Sequence, residues 1–203
     1  MKKTAKTIFS SFKFYMALLF LSLMAYFNFL SSSCIYKYFP NRVIIDDLLF
    51  RLTPYVSWTQ YWTDIANLFS CILLLIYLFY GRSRQFAYIL TTFAVMYLMR
   101  GFLILLNPLG GPLGNGVHYG LTQIHQYGQF PSGHTGIVIL CYLLVDGKEA
   151  PIIKKVLLVS VIVEIVSLIL SRGHYSIDIV GGFFIAYLAV NIMQRYKQKL
   201  MIN

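Results

Sequence analysis

The chain has 203 residues, of which 58% are hydrophobic and 12% charged. A soluble domain carries about 25% charged residues, so the composition excludes an ordinary soluble globule and reads as a single all-α membrane domain. The net charge of +10 does not point to nucleic acid, because Lys and Arg gather at the ends of apolar runs and form no continuous basic face.

Lys2, Lys3, Lys6 and Lys13 precede an uncharged run over 14–30. A signal peptide also starts with basic residues, but its apolar core is usually ~7–15 residues. The longer run predicts a first transmembrane helix. Within the polar-aromatic connection that follows, 43–53 is amphipathic, with Asp46, Asp47 and Arg51 among Ile and Leu, and is expected to lie along the interface. Tyr55, Trp58, Tyr61 and Trp62 suit headgroup depth. Helices are predicted over 61–80 and 86–106, joined by the turn Gly81-Arg82-Ser83-Arg84, and Arg100 falls inside the second. The Gly- and Pro-dense stretch from Asn107 cannot continue a helix and reads as a loop reaching Gln129. It holds His118 and His125, which lack ligand spacing and read as solvated loop residues.

Three further helices are predicted over 132–145, 152–170 and 177–194, before a basic tail of Arg195, Lys197 and Lys199. The run over 132–145 is short of the ~20 residues a span needs, so its first turn belongs in the headgroup layer or a water-filled pocket. Cys34, Cys71 and Cys141 show neither paired nor metal-ligand spacing. Six transmembrane helices put both termini on one side. The bias of Lys and Arg assigns that side to the cytoplasm, N-in and C-in. The candidate chemistry then lies on the extracytoplasmic face, periplasmic or lumenal.

That chemistry rests on two short motifs. His174 and Asp178 are four apart, so a helix brings them to one face. A carboxylate that fixes the imidazole tautomer leaves the other ring nitrogen free to attack phosphorus. His174 is the candidate nucleophile and Asp178 its orienter. In Pro131-Ser132-Gly133-His134-Thr135, Ser132 suits an N-cap and Gly133 lets a ligand approach the backbone. The N–H groups of that first turn form a phosphate site, and His134 stands beside it as acid and base. Arg172 is a candidate phosphate ligand or a plain interfacial arginine. Arg100, a charge inside a membrane run, binds the phosphate or pairs with Glu164, read here as the only acid within an apolar segment. No metal or cofactor is expected, since Arg and backbone N–H groups can stabilise the charge.

Pro-Ser-Gly-His-Thr followed by His-Tyr-x-x-Asp resembles the type 2 phosphatidic acid phosphatase (PAP2) superfamily of membrane lipid phosphatases and phosphotransferases. Within it the chain is most similar to the sphingomyelin synthase branch. His174-Tyr175-Ser176-Ile177-Asp178 is similar to that branch's His-Tyr-Thr-x-Asp-Val, and Ser132-Gly133-His134-Thr135 matches its third motif. Arg100, Leu109 and Pro112 agree with its second motif. Asp47-Leu48-Leu49-Phe50 is a weaker echo of its first. Gly128-Gln129 stands where the branch has Gly-Asp, Pro131 is the phosphatase-like choice, and the phosphatases' Lys-x6-Arg-Pro is absent. Arg172 precedes His174 more closely than the phosphatase arginine does. The resemblance implies transfer of a phospho-headgroup from a glycerophospholipid to a lipid alcohol such as ceramide. Its alternative is a phosphatase acting on phosphatidic acid or a polyprenyl diphosphate. Membrane lipids are the expected partners.

Overall fold

The computed structural model describes residues 10–114 and 128–202, and every regular element among them is helical. His118 and His125 lie outside the described residues. The helices are α1 (Phe12–Tyr38), α2 (Leu48–Leu52), α3 (Gln60–Tyr77), α4 (Phe86–Leu106), α5 (Gly133–Leu144), α6 (Pro151–Leu170), α7 (Ser176–Gln194) and α8 (Lys197–Leu200).

Three helical stretches are long and apolar enough to cross a membrane: Phe12–Tyr38, Ser57–Leu106 and Ser176–Gln194. The second is interrupted where Tyr80 and Gly81 leave helical geometry, Gly81 at φ 124°. The chain turns there, separating α3 from α4. α6 is 20 residues long but carries Lys154, Lys155 and Glu164. α5 has only 12 residues.

α1 runs well past the predicted 14–30, through Ser31-Ser32-Ser33. Serines compete with helix by bonding locally. Here Ser31 Oγ and Ser33 Oγ bond back to the Phe27 and Phe29 carbonyls at 2.9 and 3.0 Å, which the helix accommodates. The stop comes at Phe39, which leaves helical geometry at φ −128° and ψ 65°, immediately before a proline whose ring disfavours helix at the preceding residue. Pro151 occupies the first position of α6, where its missing N–H costs nothing.

α1 packs on α4, α3 on α6, and α5 sits centrally against α3, α6 and α7. Lipid tails are as apolar as leucine, so close packing and hydrogen bonds drive helix association in a bilayer. The α5–α7 contact shows this. A Cβ on Gly182 would lie 2.6 Å from the Ser132 carbonyl oxygen and 2.9 Å from Thr135 Cβ. Below Gly182, Ala186 and Ala189 are fully buried and continue the line of small residues.

The bundle has two chemically distinct ends. At one, Lys13 Nζ bonds the Met201 carbonyl at 2.9 Å, Ile202 N–H bonds the Arg84 carbonyl at 2.9 Å, and Arg82 pairs with Glu149. At the other end lie the N-termini of α5 and α7, with the two histidine motifs.

Candidate active site

Ser132 N-caps α5, its Oγ accepting from Thr135 N–H at 3.2 Å. This sets His134 in the first turn. Tyr175 caps α7, and its N–H donates to Asp178 Oδ2 at 3.0 Å. The two caps are joined directly, since Ser132 N–H donates to the Asp178 backbone carbonyl at 2.9 Å. The motifs, about forty residues apart in sequence, thus form one frame.

Within it the His134 and His174 rings meet edge to face, centroids 5.8 Å apart. His174 Nδ1 lies 3.4 Å from Asp178 Oδ2, with side chains only 2% and 0% exposed. Asp178 Oδ1 has no hydrogen-bond partner among the described residues. His174 sits between α6 and α7, outside both helices. Burial pushes its imidazole below the ordinary histidine value, while the Asp178 carboxylate pulls the other way. A neutral, oriented imidazole is the form that attacks phosphorus.

Arg100 braces the loop that leads into α5. Its Nε donates to the Pro131 carbonyl at 2.9 Å, its Nη2 to the Gly128 carbonyl at 2.8 Å, and its Nη1 to Asn28 Oδ1 at 2.8 Å. Gly133 lies flat against this guanidinium: a Cβ there would sit 3.0 Å from Arg100 Nε. A Glu164 pair does not form. Glu164 Oε2 instead accepts from Asn67 Nδ2 at 3.1 Å.

Arg172 is directed elsewhere. Its Nη2 donates to the Phe50 and Thr53 carbonyls at 2.5 and 2.6 Å, its Nη1 donates to Thr53 Oγ1 at 3.0 Å, and the guanidinium covers the Phe50 ring. α6 ends in a Schellman motif, with Gly173 N–H bonded to the Leu168 carbonyl and Arg172 N–H to that of Ile169. Arg172 takes the left-handed position at φ 56°, although Gly173 next to it is the residue suited to that geometry. Arg172→Ala is expected to lose about 2–3 kcal/mol with those hydrogen bonds. Arg172→Gly loses the same bonds but relieves a left-handed backbone that costs about 1–2 kcal/mol. Thermal unfolding in detergent should therefore rank wild type first, Gly second and Ala last.

The segment Arg172 holds is a strap over the His174 turn. Asp47 Oδ1 caps α2 through Leu49 N–H at 2.9 Å, and Asp47 Oδ2 accepts from Ser176 N–H, in the first turn of α7, at 2.6 Å. Ile45 N–H donates to Tyr175 Oη at 3.3 Å, and the Phe50 and Tyr175 rings lie 5.8 Å apart. Asp47 is buried while Val43, Ile44, Leu48 and Leu52 are exposed, so the strap turns Asp47 inward and these apolar residues outward, with Asp46 on the surface beside Arg51.

One residue of the site was missed by sequence reasoning. Asp64, in the first turns of α3, places Oδ1 3.3 Å from His134 Nε2, with side chains 21% and 15% exposed. Glu164 is therefore not the only acid inside an apolar segment. An ionisable residue within a membrane run was the available signal.

The arrangement joins two histidines, each beside a carboxylate, to a helix N-terminus suited to an anion. Among the described residues, no cluster of three or more His, Cys, Asp or Glu could hold a metal ion. A family model described as the PAP2 superfamily matches residues 44–192, a span containing both histidines, Asp64, Asp178, Arg100 and Arg172. Comparison with curated proteins gave no match.

Proposed function

The chain belongs to the PAP2 superfamily, and from that premise we propose that it is a membrane lipid phosphotransferase of the sphingomyelin synthase-like type. It moves a phospho-headgroup from a glycerophospholipid to a lipid alcohol such as ceramide. The lone pair of His174 Nε2 attacks phosphorus as the bond to diacylglycerol breaks. The leaving oxygen takes that electron pair and a proton from His134. The acceptor hydroxyl then gives its proton to His134 and attacks the phosphohistidine, and the P–N pair returns to His174. No proton is gained or lost over the cycle.

The observation that carries this reading is the burial of His174. At 2% exposure, His174 reacts only when a bound substrate opens the site, and a lipid acceptor occupying that opening takes the place of water, which favours transfer over hydrolysis. Charge points the same way. Both arginines read as phosphate ligands donate to protein oxygens, Arg172 to the strap and Arg100 to the loop before α5 and to Asn28. A site with its guanidinium groups so engaged suits a phosphodiester, with its single negative charge, better than a phosphomonoester with nearly two. Pro131, in the motif order of the phosphatases, supports the second reading, a lipid phosphatase acting on phosphatidic acid or a polyprenyl diphosphate.

Six spans with both termini in the cytoplasm accompany the proposal. The gathering of Lys13, Arg82, Arg84 and Met201 at the end away from the histidines supports it, because basic residues favour the cytoplasmic side. The site then opens to the extracytoplasmic leaflet. The test is purified protein in mixed micelles with headgroup-labelled phosphatidylcholine or phosphatidylethanolamine and ceramide. Label is expected in a new lipid. Free phosphate from phosphatidic acid, with no transfer, would replace this reading with the phosphatase one.

A further inference from the structure

Resting on the phosphohistidine reading above, we propose that Asp64 is the positioning residue for His134, so that the site comprises two opposed His–Asp dyads that use different ring nitrogens. Asp178 faces His174 at Nδ1, whereas Asp64 faces His134 at Nε2. A carboxylate only accepts hydrogen bonds, so each aspartate takes the N–H of the nitrogen it faces and fixes the tautomer. His174 then presents Nε2 to phosphorus. His134, held at Nε2 by Asp64, exchanges protons with the substrate oxygens.

Asp64 reaches the site from outside both motifs, on α3, and α3 packs on α5 and α6. The chain Asp64-Ile65-Ala66-Asn67 puts Asn67 one turn deeper on the same face. Asn67 Nδ2 bonds the Thr63 carbonyl at 3.0 Å and Glu164 Oε2 at 3.1 Å. This ties the turn bearing Asp64 back to α3 and across to α6, so the carboxylate stands on a braced helix. Glu164 is fully buried and lies within electrostatic reach of Asp64. Asp178, from α7, and Arg100, from α4, act electrostatically on the neighbouring His174.

The role separates chemically from the nucleophile's. When the P–O bond of a lipid donor breaks, its electron pair lands on a poor leaving alkoxide that needs the His134 proton. When the leaving group is p-nitrophenolate, the same P–N bond forms and the oxygen departs without a proton. Asp64 therefore matters for the first donor and not for the second.

The experiment uses full-length protein in mixed micelles and compares wild type, Asp64→Asn and His174→Ala. Headgroup transfer from labelled phosphatidylcholine is measured beside the first-turnover burst of p-nitrophenol from p-nitrophenyl phosphorylcholine and from p-nitrophenyl phosphate. Asp64→Asn is expected to slow lipid-donor turnover about a hundredfold, the lower range for a general acid–base contribution. Its burst on the activated esters should keep the wild-type rate and amplitude, which also counts the correctly folded sites. His174→Ala should lose both. Unchanged lipid turnover in Asp64→Asn, or equal slowing on both donors, overturns the role assigned to Asp64. A wild type with neither burst nor transfer overturns the phosphohistidine reading, and the dyad assignment with it.

Discussion

His174→Ala is expected to abolish phosphoryl transfer, with a loss on the order of 10⁶-fold, and Asp178→Asn to cost on the order of 10⁴-fold, as for other nucleophile–orienter pairs. The two losses should not add, because Asp178 acts through the ring that His174 supplies. The pH profile provides a second readout. Attack needs the neutral imidazole, and burial holds the His174 value below its usual position. A group depressed in this way stays unprotonated as pH falls through the ordinary histidine range near 6.5. Its activity is lost only on passing through the lower, folded value. The acid limb governed by His174 should therefore lie below that of an exposed histidine. Quenched turnover of the wild type with a phosphorus-labelled donor should trap acid-labile, base-stable label on the protein, absent in His174→Ala. Trapped label in that variant would move the nucleophile elsewhere.

Gly182→Ala should be the most damaging substitution remote from the reacting atoms. The added Cβ would meet the Ser132 carbonyl oxygen at 2.6 Å and Gly136 N at 3.2 Å. Both are backbone atoms of the α5 N-terminus and cannot swing aside like a side chain. Overpacking of this kind costs about 1–3 kcal/mol. The larger effect is functional: α5 must back away from α7, and a displacement of about 1 Å at the reacting groups can cost about 10²-fold in rate. Gly182→Val should be worse in both respects. Measured together, thermal stability and turnover should separate, with turnover falling much further. Gly182→Ala with wild-type turnover would mean that the α5–α7 spacing does not set the histidine geometry.

How far the chain can be read without its fold differs from residue to residue. The helices were legible as apolar runs bounded by Gly, Pro and charge, except that α1 continues through its serines to Tyr38, and His134, His174, Asp178 and Ser132 sit in local motifs. Arg100 was legible as a charge in the wrong solvent, although its partners proved to be loop carbonyls and Asn28 rather than Glu164. The direction of Arg172 was not legible. It depends on whether residue 172 or 173 takes the left-handed position after α6, and sequence favours the glycine. Nor was the pairing of Asp64 with His134, 70 positions apart, since it follows from α3 packing beside α5. Asp47, a faint motif echo, gains its meaning only when its carboxylate is seen to cap two helices.

Asp178 contributes to the site through separate atoms. Its carbonyl oxygen holds Ser132 N–H, and every amino acid at position 178 would carry that same oxygen. Its carboxylate holds Tyr175 N–H and faces His174. An asparagine keeps an oxygen for the first of these contacts and surrenders only the negative charge offered to the second. Architecture and reactivity can thus be dissected at one position, and a folded but silent Asp178→Asn protein would be a clean chemical knockout, suited to holding bound lipid in place for direct observation.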